Sequence, residues 1–116
     1  MKRLFLSLLL LCPLQAQAAL ECGYSSFYGG HGDGYAWQTM ANGRPMNPNA
    51  MTAAHPSLPL GTKVLVKNGN NGKAVAVTIT DRGPYAHGRI LDLSLGAFSR
   101  IAPASQGVTK VCISKL

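Results

Sequence analysis

Two alternating runs separated by five turn-forming residues constrain this chain most. From Thr62 to Lys67, Val64 and Val66 fall on one face and Lys63, Leu65 and Lys67 on the other. From Lys73 to Thr80 the alternation resumes, with Val75, Val77 and Ile79 sharing a face. A period of two is the strand period. The intervening Asn68-Gly69-Asn70-Asn71-Gly72 reads as a hairpin turn, because Asn and Gly tolerate positive φ. Further short strands are expected at Tyr24 to Tyr28, at Ala50 to Ala54, in the apolar run that carries Asp92, and at Val108 to Ser114. Only Ser94 to Ala102 has helical spacing, with Ser94 as the cap and Leu95, Phe98, Ile101 and Ala102 on one face. The chain is therefore expected to be all-β with one short helix. Short strands joined by Gly/Pro turns favour a closed barrel, since closure removes the exposed strand edges of an open sheet.

The first residues have a different character. Met1-Lys2-Arg3 precedes an apolar run from Leu4 to Leu11, and Ala16-Gln17-Ala18 follows. This is the charged, apolar and small-x-small order of a cleaved secretory signal, with cleavage expected after Ala18 and after Ala19 as the runner-up. The apolar run is too short to span a bilayer. A lipid anchor at Cys12 is disfavoured, because Leu11 stands where a small residue is wanted. Residues 19–116 are then one small domain, expected to be monomeric and without a stable membrane anchor. Cys22 and Cys112 remain, and an even pair in an exported chain reads as a disulfide.

The full chain has formal net charge +7. Such a charge favours anionic polymers or surfaces, or serves solubility alone. No Arg/Lys run with interleaved aromatics is present, so nucleic acid is not an expected partner. His31 and Asp33 in the loop Gly29 to Gly34 do not amount to a metal site, and no cofactor is implied.

The acidic residues number only four: Glu21, Asp33, Asp81 and Asp92. Two of them bracket one tight loop, Asp81-Arg82-Gly83-Pro84-Tyr85-Ala86-His87-Gly88-Arg89 and on to Asp92. Carboxyls at strand ends beside a Gly/Pro loop are held rigidly and left open, as a site requires. The competing reading is structural, with Asp81 capping a turn and Asp92 starting the helix.

Four segments carry a resemblance. They are Asn42-Gly43-Arg44-Pro45-Met46-Asn47-Pro48-Asn49-Ala50-Met51-Thr52-Ala53-Ala54-His55, Leu58-Pro59-Leu60-Gly61-Thr62-Lys63-Val64, Asp81-Arg82-Gly83-Pro84, and Gly88-Arg89-Ile90-Leu91-Asp92-Leu93-Ser94. In this order and spacing the chain resembles the rare lipoprotein A family of the bacterial envelope. The resemblance implies a six-stranded double-psi β-barrel with a groove across it, and kinship with expansins. It implies lytic transglycosylase activity on peptidoglycan glycan strands, with a preference for strands stripped of stem peptides. The location implied is the periplasm or cell envelope, or secretion. The family's functional Glu, His and Asp carry over as His55 and Asp81 only. Where the family usually reads Ser-Gly-Glu, this chain has Asn42-Gly43-Arg44, a carboxylate replaced by a guanidinium. In related transglycosylases a catalytic Asp aligns with Asp92. Longer members carry a C-terminal glycan-binding repeat domain, and this chain is expected to be the barrel without it.

Lytic transglycosylases need no activated water. The muramic 6-hydroxyl attacks its own C1, so one carboxyl can protonate the leaving oxygen and then accept the hydroxyl proton. Asp81 is the candidate acid/base, with Asp92 nearby and His55 orienting Asp81 or contacting sugar hydroxyls. Either the like charge of its neighbour raises the pKa of one of the two carboxyls, or Arg82 or Arg89 holds one of them ionised. Tyr28, Tyr35, Trp37 and Tyr85 are candidate sugar-stacking rings. Asn47 and Asn49 either bind glycan amides or set a turn. Arg44 is a candidate partner for a lactyl carboxylate or phosphate. Two other classes compete: a non-catalytic expansin-like wall-binding module, and a secreted inhibitor or structural protein on the same scaffold.

Overall fold

The computed structural model describes residues 19–116; the signal-peptide reading of residues 1–18 lies outside them. The alternating runs form the hairpin that the sequence predicts, β3 (Lys63–Asn68) and β4 (Ala74–Asp81), with Leu65 opposite Ala76 and Val66 opposite Val75. Val64, Val66, Val75, Val77 and Ile79 are all buried, and Lys63 and Lys67 point outward. The remaining strands are β1 (Glu21–Tyr28), β2 (Thr52–Ala54), β5 (Arg89–Ser94) and β6 (Thr109–Lys115). They close with the hairpin into one barrel in the order β1-β5-β2-β4-β3-β6. β1 with β5 and β2 with β4 run parallel, and the other four pairs are antiparallel.

Helix α1 (Leu95–Ile101) follows β5 directly. Ser94 caps it as expected, its Oγ accepting from Ala97 N at 3.1 Å while donating to Ala50 O at 2.6 Å. The structural reading of Asp92 as a helix cap is thereby corrected: Asp92 is a strand residue in β5, and Ser94 does the capping. Ala97, Phe98 and Ile101 enter the barrel core, where Phe98 meets Phe27 with ring centroids 5.0 Å apart. Gly96 allows this docking. Its N–H donates to Pro48 O at 2.8 Å, and a Cβ there would stand 3.0 Å from the same oxygen. The side-chain amides of Asn68 and Asn71, in the hairpin turn, both donate to Ile101 O, so the turn closes the helix end.

Cys22 and Cys112 are directly opposed on β1 and β6 and are joined by a disulfide with Cα atoms 4.1 Å apart. The pairing extends β1 three residues upstream of its expected start at Tyr24. β2 is shorter than expected, beginning at Thr52 rather than Ala50. The long connection from β1 to β2 has no helix or named strand. It is held by a bridge between Thr39 and Pro45 and covers one outer face of the barrel. There Met40 and Met46 pack with Tyr28 and Ala54 in a second, smaller apolar cluster.

Candidate active site

Strand register builds the site. On β1, β5, β2 and β4 in turn, Ser26 lies opposite Asp92, Asp92 opposite Ala54, and Ala54 opposite Asp81. One row of four neighbouring strands thus carries both carboxylates, with a methyl group between them. Two strand spacings put the Asp81 and Asp92 backbones roughly 10 Å apart. Simple alternation from buried Ile79 would turn Asp81 into the core. The register between β2 and β4 instead shifts at Ala53/Ala54, skipping Thr80, and this bulge presents Asp81 to the outer face.

Asp81 is half-buried and well supplied with donors. Its Oδ1 accepts from Ala41 N and from Arg82 N, each at 2.9 Å. Its Oδ2 accepts from the Tyr28 hydroxyl at 3.3 Å. Oδ1 thus takes both backbone donors, and Oδ2 takes only the Tyr28 hydroxyl. Tyr28 is buried, and its hydroxyl also lies 3.7 Å from Met40 Sδ. Burial first, then the charges of Asp81 and Asp92 and the hydrogen bond to Asp81, raise its pKa far above the usual 10.0. The phenol therefore stays a hydrogen-bond donor at any physiological pH.

Asp92 accepts from the Ser26 hydroxyl, which in turn accepts from Arg89 Nη1 at 3.1 Å. Arg89 is thus one hydroxyl removed from Asp92. Arg82 turns away from both carboxylates and donates to His55 O at 3.1 Å and Leu58 O at 2.6 Å. Neither arginine forms an ion pair with Asp81 or Asp92; the one histidine–carboxylate contact among the described residues joins His55 and Glu21.

The His55 ring is nearly buried and has both nitrogens engaged. Nδ1 accepts from Ser57 N and Leu58 N at 3.0 Å each, so the proton sits on Nε2, which faces Glu21 Oε1 at 2.9 Å. His55 approaches Asp81 through the main chain, its N–H donating to Asp81 O at 3.1 Å. The His55 ring thus faces Glu21 and not the Asp81 carboxyl that it was expected to orient. His55 shapes the turn whose carbonyls hold Arg82. Glu21 and Ser26, which complete these contacts, carry no local signal in sequence; only the strand pairing reveals them.

An open groove runs over this row. On one side a cavity of about 450 Å³ lies against Ser26, Tyr28, Asp81, Tyr85, Arg89 and Asp92. On the other, a cavity of about 350 Å³ reaches toward Gln38 and Thr39. Tyr28, Tyr35 and Asp81 border both, so Asp81 stands near the middle. Tyr85 and Tyr35 are 80% and 57% exposed and flank the groove. Trp37 faces a different cavity.

Asn47 sets a turn, its Oδ1 accepting from Asn49 N at 2.9 Å. Arg44 is exposed and lies outside the lining of the groove. Its turn docks beside Asp81, with Asn42 N donating to Thr80 O at 3.2 Å. Asp33 spends both oxygens on Gly29 N, Gly30 N and Tyr35 N, organising its own loop. No helix among the described residues is long and apolar enough to cross a membrane.

Comparison with known proteins gives this geometry a context. The profile of a family described as "Lytic transglycolase" matches residues 20–113. The chain is 51% identical over 94 residues to "Probable endolytic peptidoglycan transglycosylase RlpA" of Nostoc sp., covering 81% of this chain and 25% of that protein. It is 43% identical over 104 residues to "Endolytic peptidoglycan transglycosylase RlpA" of Rickettsia felis, covering 90% and 46%. The chain thus spans between a quarter and a half of the length of these curated relatives. Among solved structures it is similar to a Streptomyces papain inhibitor, with a TM-score of 0.63, 22% identity and coverage of 86% and 98%. It is also similar to a Clavibacter michiganensis expansin in complex with cellohexaose, with a TM-score of 0.62, 21% identity and coverage of 82% and 49%. These likenesses show the fold, which is the expected six-stranded double-psi β-barrel.

Proposed function

This chain belongs to the lytic transglycolase family, and on that footing we propose that it is an exported peptidoglycan lytic transglycosylase of the bacterial envelope. Its substrate is the glycan strand, cleaved between N-acetylmuramic acid and N-acetylglucosamine. The observation that carries this reading is the half-buried Asp81 at the centre of an open groove, with Oδ1 held by two backbone N–H groups and Oδ2 beside the Tyr28 hydroxyl.

In the proposed reaction protonated Asp81 gives its Oδ2 proton to the glycosidic oxygen as the C1–O bond breaks. The muramic 6-hydroxyl oxygen then bonds to C1, and its proton returns to Asp81. The products are a free 4-hydroxyl on N-acetylglucosamine, which is a new non-reducing end, and a 1,6-anhydro ring on the muramic residue, and no water is consumed. Asp92, two strands away, stabilises the positive charge that develops at C1. Tyr85 and Tyr35 stack on sugar faces, Arg89 and Arg82 line the groove, and His55 positions the Arg82 turn. Binding takes place as a monomer.

Mass spectrometry of soluble products tests this. Incubation of the oxidised protein with purified peptidoglycan, intact and amidase-stripped, yields anhydro-muramyl fragments, and Asp81→Asn yields none. A second reading is favoured by one feature, Arg44 where the family usually has Glu: an expansin-like module that binds the wall without turnover. Sedimentation with sacculi and no products would support that reading and sink the enzymatic one.

A further inference from the structure

We infer that Trp37 forms a second saccharide subsite, outside the catalytic groove, that takes a flanking N-acetylhexosamine unit of the same glycan strand; the inference rests on the glycan-binding reading above. Three observations meet at this residue. Trp37 is 63% exposed, although indole is the largest apolar side chain available. It is the one non-glycine residue with positive φ among the described residues, at 66°. A bulky residue in the left-handed region is uncommon and costs free energy. The backbone there is held by Trp37 N donating to Met46 O at 2.6 Å and Met46 N to Gln38 O at 2.7 Å. The fold thus keeps a strained backbone whose effect is to hold an indole at the surface. Third, the indole borders a cavity of about 380 Å³.

The occupant follows from what surrounds the indole. The cavity wall opposite is mainly backbone of the glycine loop, with Pro48 as an apolar neighbour and His31 and Asn49 as polar ones. The side chains of His31 and Asn49 make no hydrogen bond among the described residues. An apolar ring face with a few unengaged polar groups at its rim suits a pyranose, with its C–H face on the indole and its hydroxyls or acetamide at the rim. No charged side chain lines the cavity, which disfavours a phosphate or carboxylate ligand.

Continuity with the groove identifies the sugar as part of the same strand. The wall between the two cavities is one loop thick. Gly30 borders the Trp37 cavity, and a Cβ at Gly30 would be 3.2 Å from Phe27 and 4.0 Å from Asp33, both of which line the groove. Further along, Tyr35 and Gln38 face the groove side while Ala36 and Trp37 face the other. A glycan strand leaving the groove over this wall meets the indole. The ligand is then a strand that extends beyond the groove rather than a short fragment held at Asp81. The subsite therefore selects for strand length.

The chain's single tryptophan makes the test direct. Asp81→Asn protein, which holds substrate without turnover, is titrated with peptide-free glycan strands and with the corresponding tetrasaccharide, following intrinsic fluorescence and, in parallel, calorimetry. Long strands are expected to shift Trp37 emission and to bind about tenfold more tightly than tetrasaccharide, whose binding leaves the emission unmoved. Adding Trp37→Gly, which suits the positive φ and so keeps the fold, removes the length advantage, and Trp37→Phe restores part of it. Long strands that bind without moving the emission, or a length advantage that survives Trp37→Gly, would overturn the subsite while leaving the catalytic reading intact. Absence of any glycan binding by calorimetry would overturn both.

Discussion

Asp81 and Tyr28 are best understood together. The carboxylate has two backbone donors on one oxygen and a buried phenol on the other, so the phenol is the only side chain among these partners. Tyr28→Phe removes that donor while keeping the ring. A loss of about tenfold in product formation is expected, in line with one hydrogen bond to a charged group. The same change alters alkaline stability. The folded pKa of Tyr28 is raised, so its contribution is fully present below the unfolded value of 10.0 and is lost as pH rises above it. Chemical denaturation followed from pH 9 to 11 should therefore show stability falling above about pH 10 in the parent protein, with a visibly shallower fall in Tyr28→Phe. At Trp37 the expected stability effect runs the other way. Trp37→Gly relieves a strained φ and should raise stability by about 1 kcal/mol even as it removes the proposed subsite.

At the scale of elements, the junction of β5 and α1 fixes the site. Asp92 and Ser94 are two residues apart, one facing the groove and the other bonding the chain just before β2. Loss of the hydroxyl in Ser94→Ala leaves Ala97 N and Ala50 O without their partner in a buried place. A cost of about 2 kcal/mol is expected by urea denaturation, combining a lost cap and a lost buried bond. The helix itself was legible in sequence, since Ser94 followed by an apolar face is a local signal. The bulge at Thr80 was not. It exists because β2 pairs with β4 on one side and β5 on the other, and neither partner is near it in the chain.

For the whole molecule the closing constraint is Cys22–Cys112, a loop of 90 residues that ties the first strand to the last. Reduction or Cys22→Ser/Cys112→Ser should lower stability by up to about 4 kcal/mol in the chain-entropy account, read from the midpoint of urea unfolding. The groove lies on the outer face under the long β1–β2 connection, and the disulfide joins β1 to β6 elsewhere on the barrel. If the reduced protein is still folded at the assay temperature, its product spectrum should be unchanged.

Local sequence was enough for the strands of the hairpin, the helix Leu95–Ile101 with its Ser94 cap, and the disulfide. The first two depend on a periodicity or motif within a few residues, and the third on the expectation that Cys12 lies in a cleaved signal, which leaves one pair. It also named Asp81 and Asp92, because carboxyls are so scarce here and because the motif resemblance covers nearly all of residues 19–116, but it named Tyr28 only as a sugar-stacking ring and not as the buried partner of Asp81. Strand pairing across the barrel settled that Ala54 separates the two carboxylates, that Ser26 rather than an arginine meets Asp92, that His55 turns to Glu21, and that Trp37 faces away from the groove. Those partners lie 34 residues apart for His55 and Glu21 and 66 for Ser26 and Asp92. Contacts of that kind are set by barrel closure and strand register, which no local pattern encodes.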